Sequence, residues 1–215
     1  MGNDHSLATY VSDMLAVERH IRAPFDTQAK DEDFKKYARA RELVSRLSSL
    51  SDQHVQSLKT CLDGLGGHEA SPIKSAVLNF EGLVASAIDK VRKTKVSKAL
   101  RDDYTALSLC CISYELLLAT ANGMNDTQVA ALAERHLTEY SSIIMDISDC
   151  VPDVVLGELR DTGVSVDESA GAASARAVES AWRRAAQKRL GGSHGGANGS
   201  VGTDRMTEAG ELSGL

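Results

Sequence analysis

Long helical segments joined by two short connections and one long connection are the feature that most limits how this chain can fold. Apolar residues recur at helical spacing over about residues 4–28, 32–63, 97–122 and 126–149. About 30 residues, 65–97, separate the second segment from the third, whereas only a few residues make each of the other joins. Because short joins place neighbouring helices antiparallel, the pattern predicts two helical hairpins connected by one crossover.

Turn and breaker residues set the predicted boundaries. The second helix is expected to end at "GLGG", residues 64–67, and the crossover carries a shorter predicted helix from Ile73 to about Arg92. Proline cannot donate a backbone hydrogen bond, so Pro24 is expected to kink the end of the first helix. For the same reason the fourth helix is expected to end at Asp149, just before Pro152.

The composition narrows the class of protein. Three prolines and 4% aromatic residues among 215 argue for helices and against a β sandwich. The net charge of −6 argues against a nucleic-acid partner. The apolar runs are all shorter than the roughly 18 residues that a membrane-spanning helix needs, so no membrane segment is predicted. No signal peptide is recognised. The four cysteines form no CxxC pair and are interpreted as small buried side chains in a reducing compartment, which predicts a cytoplasmic protein.

We therefore predict an all-α protein with a ferritin-like four-helix bundle over residues 1–152. Residues 153–190 form a predicted C-terminal extension with an Ala- and Arg-rich helix. Residues 191–215 carry eight of the 17 glycines and cannot bury enough apolar surface to offset the entropy of ordering, so a disordered tail is predicted there.

Each long helix also places at least one metal-competent side chain on its predicted apolar face. Glu115 lies in the apolar run "CCISYELLLATA", residues 110–121, and Glu18 lies between Met14 and Ile21 on the first helix. Carboxylates and imidazoles suit iron, manganese or zinc. In antiparallel helices these side chains fall at similar mid-bundle depths. The candidate ligands are Glu18, His54, Glu115, His136 and Glu139.

Four stretches resemble the YciE/YciF-like family of ferritin-like proteins. They are "YVSDMLAVERHI", "HVQSLKTCLDGLGG", "PIKSAVLNFEGLV" and "SYELLLATA", and the resemblance spans about residues 5–150. It implies a four-helix bundle with a two-metal carboxylate centre, commonly linked to stress in bacteria and often dimeric. A homodimer is therefore expected.

The resemblance carries the family's ligand positions onto this chain with two departures. The positions that match ligands are Glu18, His54, Glu115 and Glu139, and His136 is a candidate fifth ligand. Ser51 and Ser142 stand where the family pattern expects further ligands, and serine is a poor one. Missing carboxylates weaken the binding of a second ion, so a single-metal site, a weak two-metal site and a metal-free polar core all remain open.

Two functions follow from these residues. The first is a ferritin-like metal-binding protein that binds iron, with manganese and zinc as alternatives, for iron oxidation or protection against oxidative stress. The second is a non-catalytic bundle that binds no metal, whose inward polar groups hydrogen-bond to one another and whose Ala/Arg-rich helix around Trp182 binds a partner. Whether the protein is an enzyme stays open. Tyr114 or Tyr140 is expected to hydrogen-bond a ligand in the first case.

Overall fold

The computed structural model describes residues 2–67 and 95–192, and all regular structure in these ranges is helical. The helices are α1 (Gly2–Gln28), α2 (Glu32–Lys35), α3 (Ala38–Gly64), α4 (Val96–Gly123), α5 (Thr127–Asp161) and α6 (Ala170–Gly192). The predicted all-α class is confirmed. The crossover helix predicted over 73–92 lies outside the described residues. The tail is predicted to begin at residue 191; residues 191 and 192 belong to α6, and the rest of the predicted tail lies outside the described residues.

Four of these helices form a bundle in which each packs against two others. α1 packs against α3 and α4, and α5 packs against the same two helices. Two ion pairs show that α5 runs antiparallel to α3: Arg39 pairs with Asp149, and Arg46, further along α3, pairs with the earlier Asp146. Across the other contacts too, rising residue numbers on one helix meet falling numbers on its neighbour. α3 and α4 therefore run parallel, as two hairpins joined by a crossover require.

The core residues of each bundle helix recur at alternating spacings of three and four. On α4 the buried line is Val96, Leu100, Asp103, Leu107, Cys110, Tyr114, Leu117 and Ala121. This seven-residue repeat is the one that antiparallel bundles use to interdigitate side chains. On the other helices the same spacing puts Glu18, His54 and His136 on the buried lines, among apolar neighbours.

The predicted end of the fourth helix at Asp149 is wrong, because α5 continues through Pro152 to Asp161. Proline removes one helical hydrogen bond. Burial of Cys150 and Val154 on the core line favours continuation and offsets that loss. The prediction of one unbroken helix over 32–63 is also wrong, because Tyr37 adopts an extended conformation and separates α2 from α3.

The added turns of α5 have a structural role. Glu158 accepts hydrogen bonds from the backbone N–H of Ser97 at 2.9 Å and from its hydroxyl at 2.6 Å. A carboxylate at the first turn of a helix satisfies an otherwise unpaired N–H and complements the helix dipole. Glu158 therefore caps α4 from the neighbouring helix.

The apolar character of α4 extends around the helix. Leu116 is 58% exposed and Ile112 is 48% exposed, although both lie in the same apolar run as the buried Tyr114. By length and composition α4 could cross a membrane, with 28% of its most apolar window buried, and a core helix can meet the same criterion. The absence of a membrane segment stays a prediction.

The described chain divides into two compact units at Ala175. The first unit contains the bundle and the four cysteines, all of which are free, with Cys110 and Cys150 buried. Of the second unit, the structure describes residues 176–192, the rest of α6. Its side chains are largely exposed, including half of Trp182, and Arg183 pairs with Glu179 one turn earlier.

Candidate metal centre

Glu18 lies at the middle of α1 with no exposed surface and is the hub of a polar layer across the bundle. Tyr114 and Tyr140 each donate a hydroxyl hydrogen bond to it, both at 2.6 Å, one to each carboxylate oxygen. His54 Nδ1 lies 3.0 Å from Oε1, and the Ser51 hydroxyl lies 3.3 Å from Oε2. Two donors on each oxygen are what an ionised carboxylate requires when it is removed from water.

The two tyrosines are held in their neutral, donating form. Burial, followed by the negative charge of Glu18, raises the pKa of both Tyr114 and Tyr140 well above the ordinary value. A second negative charge beside Glu18 in a low-dielectric environment would be costly. Both hydroxyls therefore keep their protons and direct them at the carboxylate.

His54 bridges two carboxylates. Its Nδ1 faces Glu18, and its Nε2 lies 2.8 Å from Oε2 of Glu139, whose side chain is 37% exposed. An ionised carboxylate only accepts hydrogen bonds, so each ring nitrogen must present a proton or, at Nε2, a cation. His54 therefore links the buried Glu18 to the partly exposed Glu139 across the polar layer.

His136 stacks on His54 and stays neutral. The ring centroids are 3.7 Å apart and the planes are within 9° of parallel. Burial, the charge of His54 and the charge of Arg135 lower the pKa of His136 to about 2. Its Nδ1 lies 2.9 Å from the Tyr114 hydroxyl, and its Nε2 lies 2.9 Å from the Ser57 hydroxyl. A neutral imidazole with one unprotonated nitrogen can bind a metal ion without first losing a proton.

Three of these side chains form a group that could hold a metal ion. His54, His136 and Glu139 each offer one ligand atom, and the three atoms lie within 4.8 Å of one another. Two imidazoles and one carboxylate are a donor set that proteins use for ferrous iron and for catalytic zinc. Glu18, which accepts from His54 Nδ1, occupies the place of the outer carboxylate that orients a metal-binding histidine. The donor types present therefore suit a single ion, and the stacked rings of the two histidines would have to turn apart for both in-plane electron pairs to reach it.

The inward placement predicted for Glu115 is wrong. Its side chain is exposed, one residue after the buried Tyr114, and it is not in the group formed by His54, His136 and Glu139. Successive residues on a helix point about 100° apart, so a one-residue error in phase moves a side chain off the core face. The apolar run around Glu115 covers most of the helix surface, and periodicity alone therefore did not define the buried face.

The remaining predicted positions fall in different layers of the site. Glu18 and His54 are buried as predicted, but Glu18 contacts hydrogen-bond donors instead of lying in the candidate ligand group. Ser51 is buried and donates to Glu18, while Ser142 is exposed. Sequence reasoning missed Ser57, although it lies one helical turn after His54 and on the same side of α3.

The comparisons with known proteins support the fold alone. No protein-family model matches the chain, and no curated protein matches it in sequence. Among solved structures, the chain is similar to protein XCC3681 from Xanthomonas campestris pv. campestris, with a TM-score of 0.61 at 15% sequence identity. The match covers 76% of this chain and 100% of the Xanthomonas chain. At this identity the likeness concerns architecture, and function has to be argued from the polar layer.

Proposed function

We propose that this protein binds one divalent metal ion through His54, His136 and Glu139, and that the ion is ferrous iron, with zinc and manganese as alternatives. The observation that carries the proposal is the convergence of three ligand atoms within 4.8 Å at the edge of a buried polar layer. An ion about 2.0–2.2 Å from each ligand holds the ligand atoms roughly 3.0–3.4 Å apart. The widest separation would therefore shrink, while the 2.8 Å between His54 Nε2 and Glu139 Oε2 would open slightly. Partial exposure of Glu139 leaves a path for the ion to enter.

The hydrogen bonds around the three ligands are compatible with metal binding. A cation between His54 and Glu139 would replace the proton that His54 Nε2 now presents to the carboxylate. His136 Nε2 would turn from Ser57 to the ion. Ser57 would lose no partner, because its hydroxyl also lies 3.0 Å from the carbonyl oxygens of Gln53 and His54.

Charge favours one divalent ion over two. With His54 Nε2 deprotonated, Glu18 and Glu139 supply two negative charges, which one divalent ion neutralises. A second ion would need further carboxylates, but Glu115 is exposed and Ser51 donates its proton to Glu18. We therefore propose a mononuclear relative of the two-metal centres suggested by the YciE/YciF-like resemblance. The bound ion would supply a redox-active or Lewis-acid centre beside the polar layer, as iron oxidation or protection against oxidative stress would need. Assembly as a homodimer in the cytoplasm is part of the same proposal.

The alternative is a metal-free bundle whose polar layer determines how the helices align. One observation favours it: protein groups by themselves supply four hydrogen-bonding partners to Glu18 and two carboxylate partners to His54. Such a network selects one register of the four helices, because sliding any helix would separate the buried partners. In this case the function lies in association with a partner, for which the exposed helix around Trp182 is the candidate surface.

Metal content and affinity decide between the two. We expect elemental analysis of freshly purified protein to find about one metal ion per chain. We also expect ferrous iron or zinc to raise the melting temperature, since a ligand at 100 times its Kd adds about 2.7 kcal/mol to the stability of the folded state.

Glu139→Gln and Glu115→Gln form a matched pair, since both change a carboxylate with exposed surface on a bundle helix. Glu139→Gln should weaken binding by more than the roughly 10- to 100-fold typical of losing an outer-shell partner. Glu115→Gln should bind like the wild type. A wild type that contains no metal and melts at the same temperature with and without iron, zinc or manganese would contradict the metal proposal and favour the structural alternative.

A further inference from the structure

The hydroxyl of Tyr114 lies between the hub of the polar layer and one candidate metal ligand. It is 2.6 Å from Oε1 of Glu18 and 2.9 Å from Nδ1 of His136. A phenol has one proton to donate, and the ionised carboxylate of Glu18 can only accept. The Tyr114 oxygen must therefore accept from His136, which places the ring proton of His136 on Nδ1.

The Arg135 side chain, on the opposite side of the His136 ring, favours the same tautomer. The Ser57 hydroxyl lies 2.9 Å from Nε2, and a guanidinium nitrogen of Arg135 lies 3.4 Å from it. Arginine has no acceptor atom, so a proton on Nε2 would face the guanidinium N–H groups unfavourably. An unshared electron pair on Nε2 can accept from the guanidinium. The Ser57 hydroxyl fits either tautomer, because it can also donate to the carbonyl oxygens of Gln53 and His54.

We infer that Tyr114 is a positioning residue that keeps the ring proton of His136 on Nδ1 and so leaves Nε2 free to bind a metal ion. The inference rests on the proposed function for the identity of the ligand, but its structural part concerns the metal-free protein. Through Glu18, Tyr114 also links the two candidate histidines, because the same carboxylate accepts from His54 Nδ1. Loss of the phenol oxygen would remove the acceptor for the Nδ1 proton, and the tautomer with the proton on Nε2 would become favoured, with Ser57 as acceptor.

Tyr140 provides a matched control. It is buried like Tyr114 and donates to Glu18 at the same 2.6 Å distance, but to the other carboxylate oxygen. Besides Glu18, the Tyr114 hydroxyl contacts the His136 ring, whereas the further partner of the Tyr140 hydroxyl is Ser51. Tyr114→Phe and Tyr140→Phe thus remove equivalent hydrogen bonds from Glu18 and differ in their effect on the partner of His136 Nδ1.

Nuclear magnetic resonance of the histidine ring nitrogens tests the inference in the full-length, metal-free chain. Two-bond proton–nitrogen correlation spectra separate protonated from unprotonated ring nitrogens, and the His136 signals are assigned by their loss in His136→Gln. We expect the wild type and Tyr140→Phe to carry the His136 proton on Nδ1, and Tyr114→Phe to shift it toward Nε2. Titration with zinc should show a roughly 10- to 100-fold loss of affinity in Tyr114→Phe and a smaller loss in Tyr140→Phe.

The possible failures are distinguishable. A wild type with the His136 proton on Nε2, or a Tyr114→Phe variant that keeps it on Nδ1, would overturn the positioning role even if zinc binds. A wild type that binds neither zinc nor iron would overturn the proposed metal centre and, with it, the metal-related part of this inference. The wild-type spectrum needs no substitution, so a failure of Tyr114→Phe to fold does not prevent the test.

Discussion

Two carboxylates are buried in the same bundle with unequal supplies of hydrogen-bond donors. Glu18, in the middle layer, is surrounded by two tyrosines, a serine and a histidine. Asp103, near the start of α4, accepts one hydrogen bond, from Gln28 Nε2 at 2.8 Å. Within the described residues, Asp103 Oδ2 and Gln28 Oε1 are buried without a partner.

The difference shows that burial alone does not decide the charge of a core carboxylate. Burial raises the pKa of Asp103 to about 7, the charge of Asp102 adds to the increase, and the Gln28 hydrogen bond opposes it. A proton on Oδ2 would provide the missing donor for Gln28 Oε1 and complete an acid–amide pair. Glu18 instead has four hydrogen-bonding partners, two at each carboxylate oxygen. Hydrogen-bonding partners for a buried carboxylate are thus concentrated in the layer with the candidate ligands, while near the end of the bundle burial favours the neutral form of Asp103.

Replacing each carboxylate by its amide is the strongest test of this comparison. We expect Glu18→Gln to lower the free energy of unfolding by about 3–5 kcal/mol, because it removes the carboxylate that accepts from two buried tyrosine hydroxyls and leaves His54 with Glu139 alone. Asp103→Asn should cost little at pH 7, because its amide can both donate to and accept from Gln28. Urea unfolding of the metal-free proteins measures both values. Equal losses in the two variants would contradict the comparison.

The pH dependence of stability is the next largest effect. The pKa of Asp103 is about 7 in the fold and 3.8 ordinarily, so the folded chain holds a proton that the unfolded chain has lost between these values. The contribution of Asp103 to stability is therefore present at low pH and is lost as the pH rises from about 4 to about 7. Its upper limit is about 4 kcal/mol, since each pH unit between the two values corresponds to about 1.36 kcal/mol.

Asp103→Asn isolates that contribution. The difference in unfolding free energy between wild type and Asp103→Asn should change in favour of the variant as the pH rises, when both are measured by urea unfolding at several pH values. In the Glu18→Gln background, replacing Asp103 should produce the same change. Parallel pH profiles for wild type and Asp103→Asn would show that folding does not raise the pKa of Asp103.

The hydrogen bonds that Glu18 accepts should contribute to the free energy of unfolding according to their length. Tyr140→Phe removes a 2.6 Å hydrogen bond to a charged acceptor and should cost about 1.5–3 kcal/mol. Ser51→Ala removes a 3.3 Å bond and should cost about 0.5–1.5 kcal/mol. The measurement is the shift in urea midpoint at constant slope. A larger loss for Ser51→Ala than for Tyr140→Phe would show that the hydroxyl distances do not rank these interactions.

The smallest change in stability is expected at Glu115, whose carboxylate lies in neither of the two buried environments, that of Glu18 and that of Asp103. Glu115 is exposed, so Glu115→Ala should change the unfolding free energy by less than about 0.5 kcal/mol and leave zinc affinity unchanged. Thermal melts and a zinc titration, compared with the wild type, measure the two quantities. A tenfold weaker zinc affinity in this variant would restore Glu115 as a ligand and require a different packing of α4.

Much of the architecture could be predicted from the sequence because it depends on local spacing. Helical periodicity and the lengths of the joins predicted the helices and their hairpin connections. The same periodicity placed Glu18 and His54 in the core, where single polar residues interrupt apolar lines. Pro152 misled the prediction of the end of α5, because the breaking effect of proline is local whereas the burial that offsets it comes from packing.

What the sequence by itself determined is which side chains face inward on helices with a clear apolar stripe. Only the tertiary structure decided which of them meet, since contacts between helices depend on register and rotation at distances that local spacing does not encode. It turned Glu115 outward on a helix that is apolar over most of its surface. It also stacked His136 on His54 and gave Glu18 four donors but Asp103 one, because the charge that a buried group can carry depends on partners brought from other helices.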